Sequence, residues 1–96
     1  MYNVKLSLTA QEDIEKIENH YFKISPKIAD KLIVNIRKLY ATLSINPFFK
    51  VKHKNYRIIS IENFPYLFFF EIDENSKTVY ILSCFNTSQN PNKYPI

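Results

Sequence analysis

The sequence predicts an α+β domain with the element order β-α-α-β-β-β, in which an antiparallel helical hairpin packs on a mainly antiparallel sheet. Apolar residues recur every three or four positions through much of the first half, which is typical of amphipathic helices. Three apolar segments in the second half are joined by connections short enough for antiparallel hairpins. Because no repeat or linker is visible, residues 1–96 are expected to form one domain, with 86–96 as a C-terminal tail.

The chain is expected to open with a strand followed by a capped helix. Residues 2–8 alternate polar and apolar side chains, as a strand with one buried face does. Thr9 then occupies an N-cap position, and Glu12 stands three residues later to complete a capping box. Apolar residues follow at helical spacing from Ile14. Nothing in the sequence indicates where the first strand joins the sheet.

A second helix is predicted between two clear boundary signals. Ser25 supplies a capping hydroxyl and Pro26 follows at the first helical position, where proline is favoured. Asn46 and Pro47 end the helix. Its apolar stripe consists of Ile28, Leu32, Ile36, Leu39 and Leu43.

Three strands are predicted in the second half, at Tyr56 to Ile61, Tyr66 to Ile72 and Thr78 to Phe85. The middle one is apolar on nearly both faces, which predicts a central position in the sheet. The chain contains no glycine. Asparagine and aspartate are therefore expected at any left-handed turn position.

Positive charge is concentrated in residues 50–57, which contain four cations and no acid in a chain of net charge +4. Such localisation is typical of a surface that binds a polyanion, although a solvated basic loop is the alternative. In an extended backbone the lysines would project to one side and His53 to the other. The nucleic-acid-binding residues predicted here are Lys50, Lys52, His53, Lys54 and Arg57.

The remaining reactive side chains indicate no further site. His20, His53 and Cys84 lack metal-ligand spacing, so no metal or other cofactor is expected. Cys84 is the one cysteine and lies in a strand pattern, which predicts a buried structural thiol. There is no signal segment and no membrane-spanning apolar run, so a cytoplasmic location without membrane contact is expected.

Several segments, taken in order, carry a family resemblance. They are V-x-L-S-x-x-A-x-x-D-I at residues 4–14, Asn46-Pro47, Tyr56-Arg57-Ile58, Phe64-Pro65-Tyr66, and the closing FNTSQNPNKYP at residues 85–95. With these, the chain resembles the RelE/ParE superfamily of toxins from type II toxin–antitoxin systems almost end to end. The resemblance implies a cognate antitoxin, whose acidic tail would be expected to cover residues 50–57.

The resemblance implies two kinds of target. RelE-like members cut messenger RNA on the ribosome without metal, whereas ParE-like members inhibit DNA gyrase; a degenerate member would mainly bind its antitoxin. We favour the endoribonuclease. The family pattern then makes Arg57 the catalytic cation at the phosphate, with Lys52 and Tyr94 completing the catalytic set. The alternatives for Arg57 are that it caps the edge of the sheet or forms an ion pair with Glu71 on the neighbouring strand.

The closing segment departs from the nuclease pattern. Asn86 stands where many relatives carry histidine, and Gln89 where many carry arginine. Neither amide can act as a general acid or hold a positive charge. Tyr94 can orient the ribose 2′-hydroxyl or stack on a base, or can simply pack against the sheet.

Overall fold

The fold consists of two helices packed on one face of a mixed five-stranded sheet, which confirms the predicted fold class. The computed structural model describes residues 1–48, 52–53 and 56–88. The strand order is β1-β5-β4-β3-β2, in which β1 is parallel to β5 and the other pairs are antiparallel. The elements are β1 (Asn3–Leu6), α1 (Leu8–Ile24), α2 (Pro26–Ile45), β2 (Lys52–His53), β3 (Tyr56–Ser60), β4 (Tyr66–Asp73) and β5 (Thr78–Asn86).

The first strand lies at the edge of the sheet beside the last one. Its position is fixed at both ends by backbone hydrogen bonds, from Tyr2 N–H to the Ser44 carbonyl (2.8 Å) and from Ser7 N–H to the Ile81 carbonyl (2.9 Å). Parallel neighbours need a long connection between them. Here both helices and three strands provide it, so β5 becomes an internal strand.

Helix α1 begins earlier than the sequence signals suggest, and the predicted Thr9–Glu12 capping box is wrong. Ser7 is the N-cap, and its hydroxyl accepts a hydrogen bond from Ala10 N–H at 3.0 Å. The same hydroxyl donates to the Leu82 carbonyl at 2.8 Å. Ser7 at the N-cap position thus connects the start of α1 to the Leu82 carbonyl of β5.

Leu82 needs that partner because it is the extra residue of a β-bulge. Phe69 pairs with Ser83 and Phe70 pairs with Ile81, so Leu82 has no opposite residue in β4. The extra residue of a bulge is left out of the ladder of hydrogen bonds. The Ser7 hydroxyl therefore serves the helix end and the bulge together.

Helix α2 has the predicted boundaries. Ser25 accepts from Ile28 N–H at 3.4 Å, Pro26 occupies the first turn, and Asn46 N–H closes the helix on the Thr42 carbonyl at 2.9 Å. Ile28 was predicted on the apolar face but is 40% exposed. The buried face consists of Ala29, Leu32, Ile36, Leu39 and Leu43.

Strand β4 is central, as predicted, and its side chains fill both layers of the core. Phe68 and Phe70 face the helices, whereas Phe69 lies on the other face with Leu67 and Phe85. The three phenylalanines are 0% exposed. Burial on both faces explains why this segment lacks the polar and apolar alternation of a half-exposed strand.

Two non-glycine residues of the described chain have positive φ. Asn63 (φ 66°) confirms the expectation for asparagine, but the second is Lys77 (φ 54°). The left-handed conformation costs a residue such as lysine roughly 1–2 kcal/mol. The preceding turn is held by Asp73, whose carboxylate accepts from Asn75 N–H (3.0 Å) and Ser76 N–H (3.4 Å).

Within the described ranges, neither helix combines the length and apolar character needed to span a membrane.

Candidate phosphate-contact site at the end of the sheet

Arg57 is the second residue of β3 and lies directly opposite Phe70 of β4. Opposite residues point to the same face of a sheet, so Arg57 is on the side that carries the helices. Its side chain is half-buried, and the guanidinium carbon lies 5.6 Å from the centroid of the Phe48 ring. This is the distance range of a cation–π contact. The ring is supplied by the segment that follows α2.

The alternative of an ion pair between Arg57 and Glu71 does not fit this geometry. Glu71 is opposite Tyr80 and follows Phe70 in the same strand. Successive side chains of a strand alternate between its faces. Arg57 and Glu71 therefore extend from opposite faces of the sheet.

Strand β2 places Lys52 directly opposite Arg57 and His53 opposite Tyr56. The backbone is therefore extended at residues 52–53. This is the condition under which the lysines of the segment would project to one side.

Three of the predicted site residues, Lys50, Lys54 and Tyr94, lie outside the described residues, as does Gln89. Their roles remain predictions. In this segment the structure describes residues 56–57 and the backbone of residues 52–53. That residues 50–57 form one binding surface is therefore also still a prediction.

The contact of Arg57 with Phe48 continues into a longer row. The Phe48 ring meets the Tyr2 ring edge to face, with 5.8 Å between centroids and an interplanar angle of 80°. The Lys77 ammonium lies 5.3 Å from the centroid of the Tyr2 ring. We call Lys77, Tyr2, Phe48 and Arg57 the cation–aromatic row. No sequence pattern indicates it, because these four residues come from four separate segments of the chain.

Asn86 lies far from Arg57 and has a structural role. It pairs with Tyr66 at the far end of β4, four positions from Phe70, which corresponds to about 14 Å along the strand. Its side-chain oxygen accepts from Ser88 N–H (2.9 Å) and from the Ser88 hydroxyl (2.7 Å). The fold does not bring this position to the candidate site.

Cys84 is a buried thiol, as predicted. Burial, reinforced by the negative charge of Asp13, raises the pKa of Cys84 to about 12, so the thiol stays protonated near neutral pH. The Asp13 carboxylate itself accepts a hydrogen bond from Cys84 N–H at 3.1 Å. Both groups are therefore engaged in the fold. In the described part of the chain, the histidine, cysteine and acidic side chains form no cluster suited to a metal ion.

Solved structures of toxin–antitoxin proteins have this fold. The chromosomal ParDE system from P. aeruginosa matches with a TM-score of 0.73 and 23% identity, over 90% of this chain and 96% of that one. The intact E. coli RelBE complex matches with a TM-score of 0.65 and 11% identity, over 94% of this chain and 100% of that one. The isolated E. coli RelE toxin matches with a TM-score of 0.64 and 9% identity, over 96% of this chain and 90% of that one.

Sequence comparison adds the family. No curated protein sequence matches the chain. The family model described as the ParE toxin of the type II toxin–antitoxin system parDE matches residues 4–91. Because this match takes in most of the sequence, the chain belongs to the ParE toxin family of type II toxin–antitoxin systems.

Proposed function

We propose that this toxin inhibits growth, when free of its antitoxin partner, as a ribosome-dependent endoribonuclease that cuts messenger RNA without a metal ion. The observation that carries the proposal is the register of β2 and β3, which sets Lys52 opposite Arg57. Two cationic residues at facing positions suit the oxygens of one phosphate group. A ribosomal target would place the action of the toxin in the cytoplasm.

The proposed reaction needs only an internal nucleophile of the RNA. The ribose 2′-hydroxyl loses its proton and its oxygen bonds to the adjacent phosphorus. The bond from phosphorus to the 5′-oxygen then breaks, and that oxygen takes up a proton. Negative charge grows on the phosphoryl oxygens in the transition state, where the planar guanidinium of Arg57 would stabilise it with paired N–H donors.

Lys52 and Tyr94 have supporting roles in this proposal. Lys52 would supply a second positive charge beside the phosphate, and Tyr94 would orient the 2′-hydroxyl. Lys50, His53 and Lys54 would bind neighbouring phosphates, which adds salt-dependent affinity without sequence preference.

The test compares three variants in cells and on isolated ribosomes. Arg57→Ala should lose growth inhibition and lower transcript cleavage by about 100-fold or more, as expected when a transition-state donor is removed. Arg57→Lys should retain part of the activity, because it keeps the charge but not the fork. Arg37→Ala, which removes an exposed arginine from α2, is the matched control and should behave as the unmodified toxin.

Each variant is co-expressed with the antitoxin to show that folding and complex formation persist. Growth inhibition by Arg57→Ala at the level of the unmodified toxin would refute the proposed role of this residue.

A second candidate is inhibition of DNA gyrase in the ParE manner, by binding and not by cleavage. The position of Asn86 favours it, because the residue at the usual histidine position is engaged with Ser88 and lies far along the sheet from Arg57. Supercoiling and ribosome-bound transcripts should be assayed in parallel after induction. Loss of supercoiling with intact transcripts would replace the nuclease by the gyrase inhibitor. A protein that is harmless when expressed alone would be a degenerate member that mainly binds its antitoxin.

A further inference from the structure

We infer that the cation–aromatic row binds an extended single strand of nucleic acid, with bases on the rings and phosphates at the cations. The row has a cation at each end, Lys77 and Arg57, and two rings, Tyr2 and Phe48, between them. Proteins that hold single strands without sequence preference combine these same two elements, a positive track and stacking side chains.

The length of the row fits several nucleotides. Tyr2 directly precedes β1 and Arg57 lies in β3, three inter-strand spacings away, which is about 14 Å across the sheet. The register sets Arg57 level with Leu6, four residues beyond Tyr2, which adds about 13 Å along the strands. The diagonal is about 19 Å. Stacked phosphates of one strand lie about 3.4 Å apart along the axis, so about six stacked nucleotides would cover the row, and fewer if the strand is extended.

The row is accessible to a ligand. Lys77 is exposed, Tyr2 and Arg57 are half-buried, and Phe48 is 44% exposed although it packs against Tyr2. The exposed part of the Phe48 ring, which follows α2, leaves apolar surface in contact with water and so contributes less to stability than a buried ring would. A base stacked on the ring would cover that surface.

The arrangement of charges and rings favours a nucleic acid over an acidic peptide as the ligand. The two end cations are separated by rings, and a nucleotide offers a flat base between consecutive phosphates. The acids nearest to Lys77 in sequence are Asp73 and Glu74, and the Asp73 carboxylate accepts the N–H groups of its own turn. An acidic peptide would match the cations but has no need of the exposed ring.

The inference rests on the proposed function for the role of Arg57 and extends it, by adding Tyr2, Phe48 and Lys77 as the path along which a strand reaches that residue. Binding and cleavage are nevertheless separable. Single-stranded DNA lacks the 2′-hydroxyl, so it can occupy the row and cannot be cut by the proposed reaction.

The experiment measures binding of a labelled single-stranded DNA of about 12 nucleotides by fluorescence anisotropy, at several salt concentrations between about 50 and 200 mM. Phe48→Leu keeps an apolar side chain and removes the stacking ring. Lys77→Asn removes the charge with a residue that accepts the left-handed conformation. Lys27→Gln is the matched control, because it removes one exposed lysine at the start of α2, about 27 Å along the helix from Ile45.

The two variants should weaken binding in distinguishable ways. Phe48→Leu should lower affinity about fivefold or more without changing the salt dependence, because it removes stacking and no charge. Lys77→Asn should lower the slope of log K against log salt by about 0.7, the value for one phosphate contact of a single strand. Lys27→Gln should leave both quantities unchanged. Far-ultraviolet circular dichroism and thermal melting confirm that each variant is folded.

Three results would overturn the inference. The first is affinity equal to that of the unmodified toxin in both Phe48→Leu and Lys77→Asn. The second is an equal loss of affinity in Lys27→Gln, which would show only diffuse charge attraction. The third is a requirement for Phe48 in binding the antitoxin but not the oligonucleotide, which would assign the row to a protein contact. If DNA binding depends on the row while ribosomal transcripts stay intact, the inference stands and the nuclease proposal fails.

Discussion

Two groups of polar side chains in this fold are used differently. In the first group, Ser7, Asp13 and Asn86, the side-chain oxygens bond to backbone N–H groups within the chain. In the second group, Arg57 and Lys77, the cations lie over aromatic rings. A hydrogen bond to a buried backbone group stabilises the fold and is costly to lose. A cation–π contact at an exposed site is worth only about 0.5–1 kcal/mol. The first group is therefore structural, and the second is the group for which we propose a binding role.

The largest stability effect is expected at Ser7. Ser7→Ala removes the N-cap of α1 and also the partner of the Leu82 carbonyl in the bulge. Together these losses should lower the free energy of unfolding by about 3 kcal/mol, measured by urea titration. Thr9→Ala, at the cap position expected from sequence, should change it by less than about 0.5 kcal/mol. Equal effects of the two substitutions would contradict the structural role given to Ser7.

A smaller loss is expected at Asp13. Asp13→Ala leaves the N–H of Cys84 without its carboxylate partner, which should lower the free energy of unfolding by about 2 kcal/mol. Glu12→Ala, on the exposed side of the same helix, is the control and should have little effect. Growth inhibition by Asp13→Ala should persist wherever the protein remains folded.

A smaller effect again is expected in the second group. Lys77→Asn should lower the free energy of unfolding by at most about 0.5–1 kcal/mol, the value of an exposed cation–π contact. A loss at Lys77 that matches or exceeds the loss at Asp13 would erase the distinction between the two groups.

The smallest effect is expected at Asp73, in the turn next to Lys77. Hydrogen bonds from Ser76 and Asn75 hold the pKa of this carboxyl below its ordinary value of 3.8. A carboxyl with a lowered pKa in the folded protein contributes stability above its ordinary pKa and loses it as the pH falls through the lowered value.

In Asp73→Asn the free energy of unfolding should therefore fall slightly less between about pH 7 and about pH 3 than it does in the unmodified protein. Glu74→Gln, an exposed neighbour in the same turn, is the control. A larger fall in Asp73→Asn would contradict the sign of this shift.

The sequence predicted the elements whose signals are local. Ser25-Pro26 and Asn46-Pro47 bound α2 because capping and proline act on adjacent backbone groups. The largely apolar residues 66–72 predicted the central strand, observed at Tyr66–Asp73, because such a segment has to be buried on both faces.

The features that were missed depend on contacts between distant segments. Ser7 replaced Thr9 as the cap because of the Leu82 carbonyl, 75 residues away. The parallel pairing of β1 with β5 and the contact between Arg57 and Phe48 also join segments that are separate in the sequence. No pattern within a short window of sequence encodes such pairs.

The parallel pairing of β1 with β5 also bears on synthesis. The partner of Leu6 is Ile81, so these two strands can pair only after residues 78–81 have left the ribosomal exit tunnel. Pairings between such distant segments form late in folding. Tyr2 and Lys77 meet only at that stage, so nascent chains would lack a completed row. The row therefore cannot be completed until β5 has been made and has paired with β1.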